Sequence, residues 1–286
     1  MTLHRDVWGF RCVLEMTIGV IMGKNKRNEK QKIERLGEER LNNQGCLMKV
    51  VVYNEHDDIT VQFLDAYKAE VHTSYNDFIK GSVKNPYYSS VYGMGIIGVK
   101  YPARINGEKE KEYKTWHSML QRCFDEKYKE THPSYKNVTC CDEWLLYENF
   151  YEWIHSQENF DKWHEGKRWG LDKDIIKKGN KVYSPETCCL VPHNVNSLFT
   201  KSNATRGKLP IGITKNNNAY ECNCRNPLTG ELGYIGLGHT IEEAFQLYKK
   251  YKENIIKQVA KIEYGKGNIT KECYGAMMNY KVEITD

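Results

Sequence analysis

A chain of 286 residues, 40% hydrophobic and 12% aromatic, carries enough apolar surface for two or three packed modules and is excluded from the disordered class. Its 42 Lys and Arg against 37 Asp and Glu leave a net charge of +5, which permits a nucleic-acid partner without requiring one. The ten cysteines include the adjacent pairs Cys140-Cys141 and Cys188-Cys189 and no C-x-x-C spacing, so reduced, mostly buried thiols in a cytoplasmic protein are expected. A zinc site built from Cys140, Cys188 and His193 is the metal-binding alternative.

The apolar run over 9–22, FRCVLEMTIGVIMG, is interrupted by Glu15, lacks a small-residue cleavage site and is too short to span a membrane, so no membrane partner is expected. A translation start at Met22, with residues 1–21 upstream of it, is an alternative reading. Lys24 to Leu41 is rich in Lys, Arg and Glu and is read as disordered, as a solvated helix, or as a basic arm. From Cys46 the pattern alternates, with Val50 and Val52 on one face, Ile59, Val61 and Phe63 after a turn, then Ala69 and Val71, which predicts a small β-meander. A short helical turn follows from Tyr75 and stops at Gly81. The run Gly45 to Pro86 resembles a small β module that recurs in proteins of bacteriophages and mobile elements, implying a nucleic-acid accessory; a stabilising cap is the structural alternative.

Tyr92 to Gly98 is rich in glycine but lacks the Gly-Lys-Ser/Thr ending of a phosphate loop, so a flexible hinge and a domain boundary are expected there. Tyr113, Trp116, Met119, Leu120 and Cys123 recur at helical spacing, as do Trp144, Leu145, Phe150, Tyr151 and Ile154, which predicts two helices burying these stripes against each other. His117 and His132 are candidate ligands, or ordinary surface or hydrogen-bonded histidines.

The densest polar stretch is WGLDKDIIKKGNKVYSPETCCLVPHNVNSLF, from Trp169 to Phe199. Leu171 to Ile176 reads as a strand, Lys177 to Asn180 as a turn, Thr187 to Val191 as a second strand, and Pro192 opens a helix ending at Phe199. The frame Leu-Asp172-Lys173, Gly179-Asn180, Pro185-Glu186-Thr187-Cys188, Val191-Pro192 and Asn196 resembles the HNH nuclease motif as bacteriophages use it, and the aromatic spacing before it fits the same resemblance. The resemblance implies Asp172, Lys173 and Asp174 at the catalytic positions. It also implies Asp172, His193 and Asn196 as ligands of Mg²⁺ or another divalent metal. Lys173 stands where the family's general-base His belongs, and a protonated amine takes no proton from water. The frame is then read as an inactive remnant; an active metal-dependent homing endonuclease is the rival, and a charged hairpin with a capped helix the purely structural reading.

After a basic linker, Ile211 to Thr214, Ala219 to Arg225 and Leu232 to Leu237 read as three strands, and Thr240 caps a helix from Ile241 to about Ala260. Gly212-Ile213, Ala219-Tyr220, Ile235-Gly236 and Thr240-Ile-Glu-Glu-Ala244-Phe245 together resemble the Apetala or ethylene-response-factor DNA-binding domain, which implies a sheet that enters the major groove of double-stranded DNA. Alternation turns Cys222 and Cys224 to the helix and Asn223 and Arg225 outward, with Lys215 and Tyr234 on the neighbouring strands. Lys208, Lys215 and Lys249 are expected on phosphates. A packing domain with a polar outer sheet is the alternative.

The expected whole is an α+β, multi-domain chain. It comprises a basic extension over 1–41, a small β module over 42–91, a central HNH-like domain over 92–205, an Apetala-like domain over 206–262 and a tail over 263–286. Its expected role is a phage or mobile-element DNA-binding protein; a non-enzymatic structural or protein-interaction product is the third class.

Overall fold

The computed structural model describes residues 29–200 and 209–286, and the chain divides into two compact units, the first ending at Ser89 and the second running Ser90–Asp286. The architecture is mixed α+β with several sheets. Residues 1–28, which hold the apolar run and the Met22 alternative, lie outside the described residues, as does Lys208.

In the first unit residues 29–35 are helical, and four antiparallel strands follow in the order β1 (Glu39–Leu41), β2 (Leu47–Glu55), β3 (Asp58–Phe63) and β4 (Glu70–Thr73). The segment expected as an extension therefore contributes an edge strand, with Arg40 opposite Met48. Alternation buries Met48, Val50, Ile59, Val61 and Phe63 beneath α1 (Tyr75–Lys80), whose Phe78 closes the core. Val52, expected on the buried face, is 41% exposed, because a register shift between Val50 and Val52 turns Tyr53 inward instead.

In the second unit a two-residue hairpin, β5 (Arg104–Ile105) and β6 (Glu108–Lys109), leads into α2 (Lys111–Phe124) and α3 (Glu126–Thr131). Then come β7 (Thr139–Cys140), α4 (Tyr147–His155) and α5 (Phe160–Glu165). The two apolar stripes meet as the spacing predicts: Trp116, Met119 and Leu120 of α2 bury against Tyr147, Phe150 and Ile154 of α4. The Trp116 indole Nε1 donates to the Trp144 carbonyl at 2.7 Å, so this buried ring is also satisfied as a donor.

The glycine-rich run is packed rather than hinged. A Cβ on Gly95 would run into Leu120 and come within 3.0 Å of Trp116. At Gly98 the left-handed turn (φ +79°) wraps the Glu148 carboxylate, whose Oε1 accepts from the amides of Val99 and Lys100, each at 2.7 Å. A carboxylate of the chain itself thus sits where a phosphate-loop reading would place an anion.

The remaining elements are β8 (Trp169–Asp172), β9 (Val182–Tyr183), β10 (Cys189–Pro192) and α6 (His193–Asn196). They are followed by the sheet β11 (Ile213–Asn216), β12 (Ala219–Arg225) and β13 (Leu232–Gly238), then α7 (Ile241–Gly265) and α8 (Lys271–Met278). Thr240 caps α7 by accepting from the Glu243 amide at 3.1 Å. One core spans these elements: Ile175, Cys189, Val191, Val195 and Leu198 are buried together with Phe245, Ile256, Val259, Cys273 and Met277. Described residues on both sides of the boundary drawn at 205/206 therefore share one core, and residues 263–286 carry a packed helix rather than a tail. Gly212 is held within this packing at φ +75°, and a Cβ there would meet the Tyr248 ring and lie 2.5 Å from the Asn223 carbonyl. Gly212→Ala is expected to destabilise the second unit by about 2–4 kcal/mol, read as a lower urea midpoint with unchanged slope.

Candidate functional site: the Trp169–Phe199 stretch and the C-terminal sheet

β8 and β10 are antiparallel, with Cys189 opposite Asp172 and Val191 opposite Gly170, and α6 follows β10 directly. The first strand ends at Asp172, short of the expected Ile176, because Asp172 Oδ1 accepts from the backbone amides of Asp174 and Ile175, both at 2.9 Å. This local turn competes with the ladder and stops it. Burial, reinforced by the nearby Asp174 carboxylate, pushes the Asp172 carboxyl up to about 6 against the pull of those two amides. Lys173 is 8% exposed, its Nζ 3.4 Å from Asp174 Oδ2 and 5.8 Å from the centre of the Tyr183 ring.

Asn180 Nδ2 donates to the carbonyls of Lys173 (2.8 Å) and Val182 (2.6 Å), so the Gly-Asn turn serves to fold the loop. His193 is exposed and its backbone amide donates to the Arg168 carbonyl at 2.9 Å, while the Asn196 amide lies 3.3 Å from where a Cβ on Gly170 would sit. The chain's last segment is strapped to the same loop: Lys178 Nζ donates to the Lys281 carbonyl (2.8 Å) and pairs with Asp286 Oδ2 (2.7 Å).

These donors do not fit a divalent ion well. Asp172 spends Oδ1 on two amides and keeps its proton to about pH 6, and Lys173 sets an ammonium beside Asp174. Among the described residues no group of three or more His, Cys, Asp and Glu side chains is arranged to hold a metal. Of the residues of the zinc alternative, Cys140 has its thiol pushed up by contact with Cys123 and by burial. His117 packs edge-on to Tyr92 at 5.0 Å, and His132 stacks on Tyr128 at 4.1 Å.

The C-terminal sheet has the faces that alternation assigns. Ile213, Cys222 and Cys224 are buried against Ala244, Phe245 and Tyr248 of α7. Arg225 and, partly, Asn223 face away, with Tyr234 opposite Asn223 and Leu232 opposite Arg225. The outward face also carries Leu237 opposite Glu221; alternation along the middle strand points to Glu221, whereas Leu237 reaches this face only through the register shift between Cys222 and Asn223. Leu232, Tyr234 and Leu237 are 66%, 59% and 53% exposed. Arg225 Nη1 donates to the Gly230 carbonyl at 2.9 Å, which aligns the guanidinium along its own hairpin.

Two expected phosphate contacts sit elsewhere. Lys215 pairs with Tyr220 and shares the parity of Ile213, so it leaves the sheet on the helix side at the strand end. Lys249 lies on α7, where its Nζ donates to the Val282 carbonyl and pairs with Glu253 at 2.9 Å, so it is committed to holding the C-terminal segment. The lysine spacing on the helix carries no sign of this, because the acceptor lies 33 residues away.

Comparison with protein-family models, curated proteins and solved structures finds no match for this chain. The Trp169–Phe199 stretch presents a half-buried carboxyl and a neutralised ion pair, a set suited to holding a turn. The sheet presents an open face with a guanidinium, an amide and a phenol toward its β12–β13 hairpin end, a set suited to recognition. Among the described residues no helix is long and apolar enough to cross a membrane.

Proposed function

We propose that the chain binds double-stranded DNA through the outward face of β11–β13, and that the Trp169–Phe199 stretch is the non-cleaving scaffold of that reader, in the manner of phage and mobile-element DNA-binding proteins. The observation that carries this reading is the open ladder toward the β12–β13 hairpin end of the sheet, Asn223 against Tyr234 and Arg225 against Leu232. Three strands spaced about 4.8 Å apart make a face about 10 Å wide, which suits a major groove about 12 Å across. Arg225 offers the fork that pairs with guanine O6 and N7, and Asn223 offers the amide that pairs with adenine N6 and N7. Leu232 supplies apolar contact of the kind thymine methyls accept.

Three exposed apolar side chains on one face also favour a second reading, a protein partner docked on the same sheet. The two differ in what a single residue does. Arg225→Ala is expected to lower discrimination between duplex sequences selected from a randomised pool, costing about 1–3 kcal/mol at one base pair. Uniform weakening across sequences would mean that Arg225 is not reading a base. Absence of any duplex binding by the full chain, together with specific capture of a protein lost in Leu237→Asp, would favour the second reading.

A further inference from the structure

Arg122 on α2 is a cation whose partners are all uncharged. Its Nη1 donates to the Tyr183 hydroxyl at 3.1 Å, its guanidinium lies 5.6 Å from the centre of the Tyr135 ring, and its Nε is buried without a hydrogen-bond partner. Among the described residues no carboxylate forms an ion pair with it; Asp125, the nearest acid in sequence, is spent on the Tyr128 amide and the Gln121 side chain. A half-buried guanidinium held by two phenol rings and no counter-charge keeps the capacity to pair with an anion. It suits a site whose anion arrives from outside.

A second observation says what accompanies that anion. Tyr128 and His132, one helical turn apart, stack at 4.1 Å with planes within 9°, and Tyr135 stands between this pair and Arg122, 5.9 Å from Tyr128 and 6.5 Å from His132. His132 Nδ1 lies 3.0 Å from the Tyr128 carbonyl, a contact that locks the imidazole parallel to the phenol, and the ring is exposed. A fixed, exposed ring beside an uncompensated cation offers a base a surface to stack on and its phosphate a partner.

We propose that Arg122, Tyr135 and the Tyr128–His132 stack form a nucleotide subsite for single-stranded nucleic acid, with a phosphate on the Arg122 guanidinium and a base stacked on His132. A base must leave the duplex to stack on this ring, so the ligand is an unpaired strand. The site shares no residue with the C-terminal sheet and goes beyond the duplex-binding reading.

The test is a titration of the full chain with a fluorescent dT5 oligonucleotide, an abasic strand of the same length, and inorganic phosphate as competitor. Saturable dT5 binding is expected, weakened roughly tenfold or more in His132→Ala, whose exposed ring leaves the fold intact, and in Arg122→Gln. Phosphate is expected to displace dT5, and the abasic strand to bind at least several-fold more weakly. Arg225→Ala is expected to leave the dT5 constant unchanged, which separates this site from the sheet. Absence of saturable binding, equal constants in wild type and His132→Ala, equal binding of dT5 and the abasic strand, or a loss in Arg225→Ala matching that in Arg122→Gln would each overturn the proposal.

Discussion

A chain ended after Thr200 is expected to lose the packed state of its Trp169–Phe199 stretch and not to release a free central domain. Ile175, Val191, Val195 and Leu198 are buried in the same core as α7 and α8, and each is worth about 1.5–3 kcal/mol of burial. Exposing all four costs roughly 6–12 kcal/mol, as much as the total stability of an ordinary domain. Polar ties fail with them: Asn194 Nδ2 donates to the buried Glu263 carboxylate at 3.1 Å, and Asn159 Nδ2 joins the carbonyls of Leu190 and Asn268, each at 2.9 Å. Near-ultraviolet circular dichroism and amide exchange over Cys189–Pro192 read the outcome. Native-like dichroism with protected amides in the shortened chain would show that the two parts fold independently.

The second large effect concerns charge at Asp172. Its carboxyl is raised from the ordinary 3.8 to about 6, so the folded chain holds this proton more tightly than the unfolded one. The stability it contributes is complete below pH 3.8 and is lost as pH rises through about 6, leaving a charged, half-buried carboxylate at neutral pH. At about 1.4 kcal/mol per pH unit that penalty is on the order of 1–3 kcal/mol. Asp172→Asn keeps an oxygen at the Oδ1 position for the Asp174 and Ile175 amides while removing the charge. It is expected to stabilise the protein by about 1–3 kcal/mol at pH 8 and to change little at pH 4, read from urea unfolding at the two values. Destabilisation at pH 8 would mean that the Asp174 and Ile175 amides favour the carboxylate by more than burial disfavours it; metal-dependent plasmid nicking abolished by Asp172→Ala would establish the nuclease rival.

Much of the local architecture was legible because it rests on periodicity. The stripes through Trp116 and Phe150, the alternation through Val50 and Ile59, and the inward Cys222 and Cys224 all follow from 3.6-residue or two-residue patterns that burial enforces. What escaped depends on contacts that are distant in sequence or on single hydrogen-bonding groups. The strand at Leu171 stops early because one carboxylate oxygen at Asp172 captures two amides, a competition that residue type permits but does not announce. The glycine-rich run reads as a hinge until Glu148, far along the chain, is found inside its turn. A polar linker marks a boundary at 205/206, yet hydrophobic cores join residues irrespective of the polarity of the connection between them. Lys249 reads as a surface cation until the C-terminal segment folds back onto it. Of the candidate recognition face, Asn223, Arg225 and Tyr234 were readable by alternation, and Lys215 was misplaced by one residue of parity.

The claim on which the account turns is that the outward face of β11–β13 meets duplex DNA, and side-chain oxidation by hydroxyl radicals tests it on the full chain. Tyr234 at 59% and Leu232 at 66% exposure are open to oxidation in the free protein. Saturating 30-base-pair duplex is predicted to suppress their modification while leaving the exposed Ile33 and Val99 unchanged. Unaltered oxidation of Tyr234 and Leu232 in a sample shown to be bound to the duplex would contradict it.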